Sequence, residues 1–231
     1  MVKDLLTTPL FWLALTLVVF EGADLMSRRS GRHPLCHPVL LATPVLIGLL
    51  LLTRTSYATY WSGTQALSFL LGPAVVGLAV PVWAQRDLIR RLALPIGLAL
   101  MAGAVTAVVS AVGVLALFGA PHEILASIAP RATTTPVAMA VAQQLGGVPA
   151  LAAVIVLIAG VIGAMTATPL FNAMKMTDYR ARGLAVGVSA HGFGAARAFQ
   201  VDSTAGAFAS LGMALNAVAT ATLLSVLALL L

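Results

Sequence analysis

The stretch PRATTTP, residues 130–136, places an arginine and three hydroxyl side chains between two prolines. An arginine within an apolar stretch of a membrane protein costs at least about 2.5 kcal/mol and therefore marks a candidate functional site. Pro136 suits the first position of a helix, and the free N–H groups at a helix N-terminus attract anions. The candidate anion site comprises Arg131, Thr133, Thr134, Thr135 and Pro136. The alternative is that the threonines only cap a helix while Arg131 snorkels to an interface.

A second polar group lies in SAHGFGAARAF, residues 189–199. One continuous helix would point His191 and Arg197 about 120° away from each other. Gly192 and Gly194 allow the backbone to turn between them, which leaves Arg197 in the first turn of a new helix. Arginine opposes the helix dipole there unless an anion lies between the two. We therefore expect Arg197 and the helix start after Gly194 to hold an anion, with Arg131 as a second cationic candidate. His191 would donate a hydrogen bond or carry a proton.

Two alternatives stay open for this second group. Glycines in membrane helices often serve only to let helices pack closely. Arg197 has an acidic neighbour in Asp202, five residues further on, with which it could pair at the interface.

Composition places these residues in a membrane. Hydrophobic residues make up 60% of the 231 residues and charged residues 9%, whereas a soluble domain carries about a quarter charged residues. Apolar runs of about 18 to 30 residues suit spanning helices better than barrel strands. The net charge of +6 lies in short arginine clusters between apolar runs, which favours cytoplasmic loops over nucleic-acid binding. The single cysteine excludes an internal disulfide.

Three basic loops, at residues 28–33, 86–91 and 175–182, predict the topology. If all three are cytoplasmic, the chain between the second and third must cross the membrane an even number of times. Residues 122–147, with prolines at both ends of PRATTTP, then form a re-entrant pair of half-helices. Seven crossings plus this element is the preferred map, and eight crossings apply if the third loop lies outside.

A third interruption, either a helix break or a sharp kink, is expected at Gly72 and Pro73, because proline removes a backbone donor and clashes with the preceding turn. Irregular backbone in a membrane persists only where protein or a wet cavity covers it, and transporters use such breaks to bind substrates. The sequence therefore predicts an all-α polytopic membrane protein with seven or eight spans, including broken or re-entrant helices. We expect one domain, residues 1–231, whose halves (about 1–120 and 121–231) could form a structural repeat.

Three stretches point to a known family: YWSGTQALSFLLGPAVVGLAVPVW, RATTTPVAMAVAQQLGGVPALAAVIVLIAGVIGA and SAHGFGAARAFQVDSTAGAFASLGMALNAV. They resemble the LrgB/CidB family of bacterial inner-membrane proteins, and the resemblance covers roughly residues 5–231. It implies either of two functions. One is antiholin-like control of murein hydrolase activity and cell lysis, together with small LrgA/CidA-type partners. The other is small-carboxylate transport, as in the plastid glycolate/glycerate translocator and in bacterial members associated with pyruvate uptake.

The preferred hypothesis is a secondary transporter of a small monocarboxylate (glycolate, glycerate, lactate or pyruvate) in the bacterial inner membrane, with lysis control as the alternative. Expected partners are the lipid bilayer, the carboxylate and an LrgA/CidA-type protein, with a homo-oligomer left open and no nucleic acid. The sequence contains no nucleotide-binding loop, metal-ligand cluster or nucleophile elbow. We accordingly expect no catalytic residue, cofactor or metal, and no enzyme activity.

Overall fold

The computed structural model describes residues 8–31, 33 and 36–230, so Arg32 of the first basic loop lies outside the described residues. No β-strand occurs in that part of the chain, and its regular elements are helices. A helix satisfies its own backbone hydrogen bonds, which suits a chain surrounded by hydrocarbon. The all-α prediction is confirmed.

The α-helices are α1 (Pro9–Arg29), α2 (Pro38–Thr53), α3 (Tyr57–Gly77), α4 (Ala79–Ala84), α5 (Arg86–Arg91), α6 (Ala93–Leu117), α7 (His122–Ile128), α8 (Thr135–Gln144), α9 (Pro149–Ala173), α10 (Tyr179–Val201) and α11 (Ser203–Leu230). Five helical stretches of the described chain are long and apolar enough to cross a membrane: Pro9–Arg29, Tyr57–Ala84, Ala93–Leu117, Pro149–Ala173 and Ser203–Leu229. The polytopic class is confirmed, while the number of crossings stays a prediction.

The chain forms two compact units, Met1–Gly77 and Leu78–Leu231. In the first unit α1 packs against α2 and α3. The buried ring of Trp12 meets Tyr60 of α3 edge to face, with 5.8 Å between ring centroids. The second unit holds both polar groups singled out by the sequence. Whether one domain with two similar halves describes the chain stays a prediction.

The helix does not break at Gly72 and Pro73, whereas a sharp kink there stays a prediction. Helix α3 continues through Pro73 and ends at Gly77. A proline inside a helix costs one backbone hydrogen bond, and membrane helices tolerate this where neighbouring groups replace the bond. The interruption therefore comes after Pro73, between Gly77 and the start of α4 at Ala79.

Helices α7 and α8 with the turn between them form a helical hairpin, here called hairpin A (residues 122–144). Its two ends lie together: a Cβ on Gly146 would come 3.7 Å from the His122 ring. Ser127, near the end of α7, links the hairpin to the residue before α9, because its hydroxyl oxygen accepts a hydrogen bond from the Val148 N–H at 2.8 Å. This is the reversal expected of a re-entrant pair of half-helices.

Helix α10 also folds back on itself and is here called hairpin B, with a first arm (residues 179–190) and a second arm (residues 192–201). The backbone at His191 between them is non-helical, with φ 41° and ψ −128°. A Cβ on Gly194 would contact the Val186 carbonyl oxygen, eight residues earlier. In a straight helix these positions lie about 12 Å apart. The topology map counts this segment as a crossing, whereas the structure reverses it at His191.

Candidate substrate site at the tips of two hairpins

The two hairpins enter the second unit from opposite ends. Hairpin A precedes the start of α9 at Pro149, and hairpin B follows the end of α9 at Ala173. Because α9 is a single helix of 25 residues, its two ends lie about 37 Å apart. The base of hairpin B lies at the end that carries the third basic loop. Both tips point toward the middle of the unit.

Asn216, near the middle of α11, joins the two tips. Its side-chain nitrogen Nδ2 donates to the Ala132 carbonyl at 2.8 Å and to the Val188 carbonyl at 3.2 Å. Its side-chain oxygen accepts a hydrogen bond from the Thr220 hydroxyl at 3.2 Å. Asn216 is fully buried. Each broken helix leaves carbonyl groups without a helical partner, so one amide satisfies an acceptor from each hairpin.

This bridge positions Arg131 and Ser189, which are the chain neighbours of the two carbonyls. Both side chains line a cavity of about 670 Å³ along α9 and a second cavity of about 530 Å³ along α6. The two cavities flank the first arm of hairpin B. The α9 side is walled mainly by aliphatic residues: Ile128, Ile155, Ile158 and Ile162. The α6 side adds the hydroxyls of Thr106 and Ser110.

Arg131 is half-buried and carries a charge that no neighbouring side chain balances. Within residues 8–31, 33 and 36–230 its guanidinium has no carboxylate within 4.0 Å and no hydrogen-bond acceptor. It is also the one charged residue among the residues that line the two cavities. A guanidinium in low-dielectric surroundings without a counter-ion is costly, and it offers a fork of donors that fits a carboxylate. The cavities are therefore suited to a small monoanion.

The four neighbours of Arg131 in the predicted anion site have different surroundings. Thr133 is buried, and its hydroxyl donates to the Pro130 carbonyl at 2.8 Å, which closes the turn of hairpin A. Thr134 precedes α8 with extended backbone and makes no side-chain cap hydrogen bond. Thr135 and Pro136 begin α8, as the proline predicts. The cavities that Arg131 lines do not include these four residues.

His191 is 3% exposed at the tip of hairpin B. Its Nε2 lies 3.1 Å from the Val156 carbonyl oxygen of α9, and because a carbonyl only accepts, the ring N–H donates. Gly160 leaves room for this ring, since a Cβ there would lie 2.5 Å from His191 Cε1. The imidazole therefore locks the hairpin tip onto α9, an arrangement that composition alone does not predict.

The structure does not bring Arg197 to the same cavities as Arg131. Arg197 lies on the second arm of hairpin B, donates to the Gln200 side chain at 3.3 Å, and lines a cavity of only about 20 Å³ beside Arg182. Gly192 is exposed in the second arm, whereas Gly194 is buried where the arms touch. The turn expected at these glycines lies at His191 instead.

An ion pair stands at the end of the unit that carries the third basic loop. Arg180 donates to both carboxylate oxygens of Asp178, with Nη2 2.6 Å from Oδ2, and the carboxylate also accepts from the Arg180 N–H and caps α10. Hydrogen bonding to the Arg180 side chain lowers the pKa of Asp178 to about 2. Both residues line a cavity of about 250 Å³.

The sequence favours Asn216 as a polar contact between helices over a ligand, which its two hydrogen bonds bear out, and it does not single out Ser189. Asn216 carries a detectable signal, because it is an amide within the last 29 residues of the chain, which contain no charge. Ser189 carries none beyond its spacing of four from Ala185, which places both on one helix face.

The fold and the polar tips define a polytopic helical membrane protein with two broken-helix hairpins. Residues 16–230 match the model of the LrgB-like family. The chain is 33% identical to the uncharacterized protein YwbG of Bacillus subtilis, over 90% of this chain and 92% of that protein. It is 32% identical to the holin-like protein CidB of Staphylococcus epidermidis, with 94% of each chain covered. The corresponding figures for the holin-like protein CidB of Staphylococcus aureus are 29% and 96%. No solved structure matches.

The chain belongs to the LrgB-like family, which confirms the resemblance drawn from its three sequence stretches. It is a multi-pass membrane protein of a family that includes proteins named holin-like.

Proposed function

We propose that the protein is a secondary transporter of a small monocarboxylate (glycolate, glycerate, lactate or pyruvate) in the bacterial inner membrane. One observation carries the proposal: Arg131 lies at the meeting point of two broken helices, lines two cavities and has no anionic partner in the described chain. A bound carboxylate would supply the missing counter-charge.

The charge count favours a monoanion. Arg131 alone among the residues lining either cavity is charged, so a dicarboxylate would leave one carboxylate without a partner in apolar surroundings. The cavities hold a molecule of a few heavy atoms with space to spare, as expected of a site that must also release its ligand. We propose transport without chemical conversion, with Arg131 as the binding residue and the hairpins as the elements that rearrange.

Reconstitution of the purified chain tests this proposal. Proteoliposomes should accumulate radiolabelled pyruvate or glycolate with saturable kinetics, and unlabelled lactate should compete. Succinate should compete weakly because of its second charge. Absence of uptake for every monocarboxylate, or equal uptake of succinate, would contradict the assignment.

A second candidate function is control of cell lysis, and the names of the CidB relatives favour it. In this proposal the chain acts with a small LrgA/CidA-type membrane protein and modulates murein hydrolase activity. Autolysis of cells carrying Arg131→Gln separates the two. Unchanged autolysis with lost uptake would make lysis control independent of the anion site, whereas a parallel loss would make carboxylate flux its cause.

A further inference from the structure

We infer that the anion reaches Arg131 through a passage between α6 and the first arm of hairpin B, which opens at the Asp178–Arg180 ion pair. This inference rests on the proposed function.

The first support is the continuity of two cavities. The cavity of about 250 Å³ beside Asp178 and Arg180 shares three lining residues, Ala99, Ala181 and Leu184, with the cavity of about 530 Å³ that Arg131 lines. Because the same three residues line both cavities, the cavities adjoin, and we infer that they form one path. The path leads from the loop before α10 to the tip of hairpin A.

The second support is the row of small residues along the first arm of hairpin B. Ala181, Ala185 and Ser189 recur every four residues, so they share one helix face, and all three are exposed. This face covers about 12 Å, from beside the ion pair to beside Arg131. Short side chains there leave a gap next to the α6 residues Ala102 and Thr106, which line the same cavity.

The third support is that buried residues lie between Arg131 and the base of hairpin A and close that side. Ala132 is 2% exposed and Thr133 is 1% exposed, and Ser127 near the end of α7 is fully buried and bonded to Val148 before α9. The Asn216 bridge fills the space between the hairpin tips. The site is thus open toward the basic-loop end and closed toward the base of hairpin A, as one state of an alternating-access cycle requires.

The positive charge near the entrance is suited to the passage of an anion. Arg86, Arg90 and Arg91 of α5 are exposed just before α6, whose residue Ala99 borders the entrance cavity. Asp178 neutralises the charge of Arg180 at the entrance. The anion therefore meets polar groups there but is not bound tightly. Clustered positive charge raises the local concentration of anions.

Thiol labelling tests the passage independently of transport. In a Cys36→Ser background, Ala185→Cys and Thr106→Cys place a thiol on the passage. Val105→Cys is the matched control, because Val105 lies at the same depth of α6 but on another face and is exposed. The probe is the membrane-impermeant anion 2-sulfonatoethyl methanethiosulfonate, applied to inside-out and right-side-out vesicles.

The two passage thiols should react on the order of tenfold faster than Val105→Cys, because the reactive thiolate forms in water and not in hydrocarbon. Reaction should be faster from the membrane face that carries the basic loops, and saturating pyruvate should slow it at Ala185→Cys. Passage thiols no faster than the control, in protein that still transports, would overturn the passage. Fast labelling in protein that takes up no carboxylate would support the passage and overturn the proposed function. If the protein takes up pyruvate but saturating pyruvate does not slow the labelling of Ala185→Cys, the result would overturn the proposal that the anion uses this route.

Discussion

The side-chain nitrogen of Asn216 donates a hydrogen bond to the main-chain carbonyl of Ala132 at 2.8 Å, although 84 residues separate them. Ala132 lies at the tip of hairpin A, and the same nitrogen also reaches Val188 near the tip of hairpin B. One amide therefore holds two interrupted helices that enter from opposite ends. Arg131, next to Ala132, is positioned by this contact.

Replacing Asn216 by alanine should lower the free energy of unfolding by about 2 kcal/mol, because two buried carbonyls lose their donor. Thr220→Val is the matched control, since it removes only the bond from Thr220 to the Asn216 oxygen and should cost about 0.6 kcal/mol. Unfolding of the purified variants in mixed micelles measures both. Equal stability of Asn216→Ala and wild type would show that the bridge does not hold the tips.

The backbone conformation at His191 predicts an unusual order of stability among variants at this position. Its φ of 41° suits glycine, so His191→Gly should be more stable than His191→Ala by about 1–2 kcal/mol. Ala196 lies in the helical second arm, where Ala196→Gly should instead lose about 1 kcal/mol. The same unfolding measurement compares the pairs. Alanine more stable than glycine at position 191 would contradict the break at this residue.

Gly160 tests the contact between hairpin B and α9. In Gly160→Ala the added methyl group meets the His191 ring, with Cε1 2.5 Å and Nε2 2.8 Å away, so the imidazole must move off the Val156 carbonyl. Thermal stability and uptake should both fall. Gly113→Ala in α6 is the control, because nothing lies within 4 Å of the added methyl group and its stability should be unchanged or higher. Similar behaviour of the two variants would remove the steric argument.

The sequence predicted much of the architecture, for identifiable reasons. The prolines around PRATTTP and the parity of the basic loops predicted that residues 122–147 turn back, and they do so in hairpin A. In the second hairpin the sequence predicts a helix break at Gly192 and Gly194 and no reversal, because glycine is the residue expected at positive φ. His191 takes that conformation instead, because its ring is held by α9. The contact of the His191 ring with α9 joins distant segments, so the local sequence does not predict it.

The candidate site was predicted only in part for the same reason. Arg131 stood out as an arginine in an apolar stretch, and it lines the cavities. The sequence favours Arg197 over Arg131 as the ligand of the anion, but the reversal at His191 places Arg197 near Arg182 and away from the cavities. Asn216 could be flagged as polar, yet its partners are backbone carbonyls that are accessible only because two distant helices end beside it.

The Asp178–Arg180 pair predicts a pH dependence. Because the folded-state pKa of Asp178 is about 2 and lies below the ordinary value, its contribution to stability is present above about pH 4 and is lost as the pH falls through about 2. The pair is exposed, so the contribution should stay below about 1 kcal/mol. Asp178→Asn keeps a helix cap but removes the charge. The difference in melting temperature between this variant and wild type should vanish below about pH 2, and a difference that persists there would contradict the pairing.

The most direct test of the central claim is uptake of radiolabelled pyruvate by proteoliposomes containing Arg131→Gln, compared with wild type and Arg131→Lys. The account predicts loss of uptake in the glutamine variant and a strong reduction in the lysine variant, because a point charge does not replace a two-pronged guanidinium. Unchanged melting temperatures would show that both variants fold. Wild-type uptake by folded Arg131→Gln would contradict the proposal that Arg131 binds the transported carboxylate.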